Sequence, residues 1–151
     1  MYYTWAYIGM ALGFLVPIYA LLRGGPSERV GATIFLLAWL ATTLAQLRTK
    51  YSGIEWGIVA IDVVALFAFF GLALWSRKIW TILIAACQMN AVFSHFVPLL
   101  APHFNYVTYI TIISFWSGYG LLACLAAGTY SHQRESLLTR KAATGPSITN
   151  E

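Results

Sequence analysis

"WGIVAIDVVALFAFFGLALW", residues 56–75, is twenty residues long and carries one charged side chain, Asp62. A helix rises about 1.5 Å per residue, so this run reaches about 30 Å, the depth of a bilayer's hydrocarbon core. Read as a membrane span, it sets the frame for the rest of the chain.

The composition agrees with that frame. Of 151 residues, 60% are hydrophobic and 9% charged, and the mean hydropathy is +0.71. Soluble domains are roughly 45–50% apolar and about 25% charged. So few charges cannot cover the surface of a water-soluble protein of this size. An integral membrane protein with one compact helical domain follows. The net charge of +4 does not point to nucleic acid, because the Lys and Arg residues lie between and after the apolar runs, where topology rules place them. Both cysteines, Cys87 and Cys124, fall inside apolar runs and read as small packing residues without metal-ligand spacing.

Charges divide the chain into five candidate spans, residues 3–22, 30–47, 56–75, 79–100 and 106–130. Residues 1–130 form the expected transmembrane helical domain. The polar segment 131–151 reads as a cytoplasmic tail, disordered past Lys141. The first span lacks a basic leader and is expected to be retained. With five spans, Arg23, Arg29, Arg77, Lys78, Arg134, Arg140 and Lys141 collect on one side, and Arg48 and Lys50 on the other. The bias places the N-terminus outside and the C-terminus in the cytoplasm. The expected location is a bacterial inner membrane, crossed several times. Aromatic residues cluster at the span ends, as interfacial anchors do.

Small residues recur at one-turn spacing. Gly9 and Gly13 share a face of the first span, and Gly120, Cys124 and Gly128 share a face of the fifth. Such stripes let helix backbones approach closely, within the bundle or between copies.

Polar residues at membrane depth are the candidate site. "QMNAVFSHF", residues 88–96, interrupts the fourth span. At about 100° per residue, Gln88 and His95 share one face, while Asn90 and Ser94 lie on another with Cys87. The fourth helix is therefore expected to have neighbours on both flanks. Asp62 must face the interior and find a partner. It lies 15 residues before Arg77 in the turn between spans three and four, and His95 lies 18 after it. In an antiparallel hairpin these two positions fall within one turn of each other, about 9 Å below the outer helix ends. Two readings stay open. One is a proton- or ligand-handling site of Asp62, Gln88 and His95, since imidazole exchanges protons near neutral pH. The other is a polar clasp between helices, with Asn90, Ser94 and Thr42 as further interhelix hydrogen bonds.

No catalytic constellation, nucleotide loop or metal-ligand spacing is visible, and no cofactor is expected. His103 falls in a loop, leaving Asp62 and His95 short of three ligands. The segments "SGIEWGIVAIDVVAL", "FSHFVP" and "FWSGYG" resemble those of small polytopic bacterial membrane proteins of unassigned function. That resemblance implies the architecture and brings no activity. The expected role is a non-enzymatic accessory or scaffolding subunit, whose partners are the bilayer and other membrane subunits or further copies. The alternative is a small proton-linked transporter or ligand-binding protein.

Overall fold

The computed structural model describes residues 2–47, 56–97, 111–112 and 115–143. The described elements are helical: α1 (Tyr2–Arg23), α2 (Pro26–Gln46), α3 (Trp56–Ser76), α4 (Ile79–Ser94) and α5 (Leu121–Ala143). A π-helical turn over Phe115–Gly120 leads into α5. No strand occurs among the described residues. Arg48, Lys50 and His103 lie outside them.

α2 begins at Pro26, four residues ahead of the expected span. The local chemistry explains the early start. Proline needs no amide partner in the first turn, and Glu28 carries its negative charge beside the free amides there. The Gly24–Gly25 link allows a sharp reversal from α1. A Cβ at Gly24 would lie 2.4 Å from the Ala20 carbonyl oxygen and 2.6 Å from the Glu28 Cβ.

The α3–α4 turn is equally tight. Arg77 takes φ 53°, in the left-handed region, and its amide donates to the Ala73 carbonyl at 3.0 Å. This closes the end of α3 in the manner usually left to glycine. The Thr81 hydroxyl donates to the Lys78 carbonyl at 2.7 Å and lies 2.9 Å from the Ser76 hydroxyl, binding both sides of the turn.

Two helix ends differ from the sequence expectation. α4 ends at Ser94, a turn follows at His95 and Phe96, and Val97 is helical again, while residues 98–100 of the expected span lie outside the described residues. The His95 and Phe96 amides close on the Val92 and Phe93 carbonyls, three residues back, which tightens the last turn. α5 does not stop at Tyr130 but continues to Ala143. Residues 131–143 are polar, yet they are rich in Gln, Arg, Glu, Leu, Lys and Ala, all good helix formers.

The helices pack in a closed ring. α1 lies on α2, α2 on α3, α3 on α4 and α4 on α5, and α5 returns to α1 while also touching α2. Phe69, Ile84 and Leu125, from α3, α4 and α5, meet at the fully buried centre. The outside is apolar as well. Leu37, Val64, Phe67, Leu74 and Phe93 are exposed, Phe67 by 70% of its surface. By length and composition, α2 and α3 can each cross a membrane, whereas the apolar stretches of α1 and α4 are shorter.

Candidate functional site: a buried carboxylate–imidazole pair

α4 carries Thr81 and Gln88, and His95 caps its C-terminal end; the three are seven residues apart and all are buried. Seven residues are close to two helical turns, so the three point into the bundle along one line. α3 runs antiparallel beside it and presents Asp62, also buried. His95 Nε2 lies 2.7 Å from Asp62 Oδ2. The Gln88 side-chain amide donates to Asp62 Oδ1 at 3.1 Å and to the Asp62 backbone carbonyl at 3.2 Å. Both carboxylate oxygens thus have a partner from α4. A Gln amide has two N–H groups, which suits these two acceptors.

This arrangement makes chemical sense in an apolar interior. An ionised carboxylate without partners would be prohibitive there, whereas one held by an imidazole and an amide is tolerable. The pair can serve as a fixed clasp between α3 and α4.

The other residues of the polar cluster do not join it. Asn90 is exposed. Ser94 is buried, but its hydroxyl donates to the Asn90 carbonyl on its own helix at 2.7 Å. That local bond satisfies the serine without an interhelix partner. α4 therefore does not need neighbours on both polar sides. α3 and α5 flank it, and Ile82, Met89 and Phe93 are exposed.

The small residues are helix contacts within the chain. A Cβ at Gly9 would lie 3.2 Å from the Tyr119 hydroxyl, and one at Gly13 would lie 3.6 Å from the Trp39 ring. At Gly120 it would lie 3.2 Å from Cys87 Sγ. Cys124, one turn on, lies near Cys87 on α4. At Gly128 a Cβ would lie 2.6 Å from the Trp80 ring. Both stripes are thus occupied by neighbours in the same molecule.

A second polar centre lies at the opposite end of the bundle. Glu28 is fully buried. Its Oε1 accepts from Lys78 Nζ at 2.8 Å and from the Trp80 indole at 3.1 Å, and its Oε2 accepts from Ser27 at 3.1 Å. The sequence places Glu28 in a loop between the first two spans, because "RGGPSER" reads as a polar linker. The signal that locates it is the Gly-Pro-Ser-Glu helix start, which brings the acid inside the first turn of α2. Among the described residues, no three His, Cys, Asp or Glu side chains gather as a metal site.

No family model, curated protein or solved structure matches the chain.

Proposed function

We propose that the protein is a polytopic membrane protein that acts as a non-enzymatic accessory or scaffolding subunit of a membrane complex. All five helices cross the inner membrane, with the N-terminus outside and the C-terminus in the cytoplasm. The distribution of side chains supports the membrane location. Large apolar groups face outward, and the buried acids are paired within the bundle, as a lipid solvent demands. The α1–α2 and α3–α4 turns lie at one end, joined by the Lys78–Glu28 bond. Arg23, Arg29, Arg77 and Lys78 therefore gather there, the pattern of a cytoplasmic face.

The observation that carries the subunit reading is a groove on the outer side of α2 and α3. It holds about 430 Å³ and is apolar, with Ala38 and Ala41 on one wall and Ala60, Ala65 and Ala68 on the other. In lipid, helices associate where small residues let backbones approach. An alanine-lined seam between two helices suits the side chains of a third. A photo-crosslinker at Ala41 or Ala60, in membranes of the native host, tests this. One stoichiometric protein adduct from these positions, missing from crosslinkers at Phe93 on α4, is the expected result. Adducts to lipid alone would remove the reading.

The 2.7 Å contact of Asp62 with His95 favours a second reading, a small proton-linked transporter or ligand-binding protein using Asp62, His95 and Gln88. Asp62→Asn separates the two. A scaffold keeps its partner when the amide replaces the acid. A proton-coupled carrier loses activity while the protein stays folded and abundant.

A further inference from the structure

We propose that the outward face of the α5 extension, Arg134 with Leu137 and Leu138, is a docking site for an acidic amphipathic segment of the partner protein, at the end of the bundle where the α1–α2 and α3–α4 turns lie. The site rests on the subunit reading and gives that partner a chemistry and a second point of attachment.

Helix periodicity sets the face. Arg134, Leu137 and Leu138 are three and four residues apart and lie on one side of α5, the side that Tyr130 occupies one turn earlier. Tyr130 is 69% exposed, Leu137 59% and Leu138 58%. His132 lies on the opposite side and turns to the bundle, where a Cβ at Gly25 would lie 2.8 Å from its Cε1. Gln133 accepts from the Tyr19 hydroxyl on α1 at 2.8 Å. These two contacts mark the end of the bundle, and α5 runs on to Ala143, about 15 Å further.

Lipid does not account for the leucines. They lie about 6–8 Å along the helix past Gln133, and the headgroup layer of one leaflet is about 5–8 Å deep. At that height they meet headgroups and water, and acyl chains cannot bury them. A second copy does not suit the face either. Two copies packed through it about a two-fold axis would bring Arg134 against Arg134, and such like-charge contacts are costly.

The charge selects the remaining occupant. Arg23, Arg29 and Arg77 are exposed at this end, while Lys78 is drawn to the fully buried Glu28. Glu135 is exposed about 100° round the helix from Arg134, beside the face and not on it. Arg140 and Lys141 have interactions of their own, and the face is drawn without them. A positive end with two leucines standing clear of it complements a segment whose apolar stripe is flanked by Asp or Glu. Apolar contact supplies the affinity, and opposed charge selects the partner.

A benzophenone residue at Leu138 of the full-length protein, photo-activated in membranes of the native host, tests the proposal, with the crosslinked peptide identified by mass spectrometry. The expected result is one adduct to a different protein, at a peptide in which Asp and Glu outnumber Lys and Arg. Arg134→Glu should reduce that adduct about tenfold, and Arg134→Lys should retain it. Salt at about 0.5 M should weaken it, because exposed charges are screened. An adduct to a second copy, to residues 144–151 of the same chain, to lipid alone, or to a peptide without acidic excess would overturn the proposal. So would an adduct indifferent to Arg134→Glu. A partner adduct at Ala41 with none at Leu138 would keep the subunit reading and remove this site, whereas adducts at neither position would remove both.

Discussion

His95 Nε2 and Asp62 Oδ2 are 2.7 Å apart and both residues are buried, so each is the condition for the other's presence in the bundle. Asp62→Ala removes the carboxylate that His95 and Gln88 share, leaving Gln88 only the backbone carbonyl of residue 62, and a broken buried pair costs about 3–5 kcal/mol in soluble proteins. Interhelix hydrogen bonds in membrane bundles are worth less, about 0.6 kcal/mol on average and at most about 1.7. Asp62→Asn keeps an acceptor and should cost about 1 kcal/mol; Asp62→Ala should cost at least twice that. Thermal unfolding in detergent, followed by size-exclusion of the surviving monodisperse fraction, measures both. Equal losses would mean that the carboxylate's partners do not stabilise the fold.

Trp80 gives the sharpest packing prediction. Its indole is held between Gly31 on α2 and Gly128 on α5, with Cβ positions 3.0 Å and 2.6 Å from ring atoms. Gly128→Ala forces the ring or α5 to move, and overpacking of this kind costs about 1–3 kcal/mol. Gly71 is also helical, but a Cβ there meets nothing within 4 Å. Gly71→Ala should therefore stabilise by up to about 1 kcal/mol through helix propensity alone. The same unfolding assay compares the two, and a similar response at both sites would contradict the packing at Trp80.

Arg77 occupies the left-handed region at φ 53° without being glycine. A non-glycine residue there is strained by about 1 kcal/mol. Arg77→Gly relieves the strain and should raise stability by about 0.5–1 kcal/mol. Reporter fusions at the C-terminus should still read cytoplasmic, because Arg23, Arg29 and Lys78 remain at that end. Reduced stability would indicate that the arginine side chain makes a contact worth more than the strain.

The residues that were legible from sequence share a feature: each sits in an apolar run whose ends are marked by charge. Asp62, Gln88 and His95 could be aligned because the Arg77–Lys78 turn is short and both helices rise at one rate. Asn90 and Ser94 were grouped together because periodicity reports a face and not a partner. Ser94 satisfied itself on its own backbone, and Asn90 points outward. Glu28 was lost at a helix boundary, where one turn decides whether an acid lies in a loop or in the core. The continuation of α5 past Tyr130 was hidden because polarity marks where an apolar span ends, and a helix need not end with it.

The Glu28 centre tests whether that lost residue matters to the fold. Its carboxylate is fully buried, while the Lys78 side chain is 37% exposed. Lys78→Met removes the countercharge and leaves Glu28 with the neutral donors Trp80 and Ser27, at a cost of about 3 kcal/mol. Glu28→Gln removes the charge instead. The amide oxygen can still accept from Trp80 and Lys78 can reach solvent, so the loss should be near 1 kcal/mol. In the double variant no buried charge remains, and the combined loss should fall below the sum of the single losses by at least 1 kcal/mol, as coupled neighbours do. Purely additive losses in a double-mutant cycle would mean that the 2.8 Å contact between Lys78 and Glu28 carries no net interaction energy.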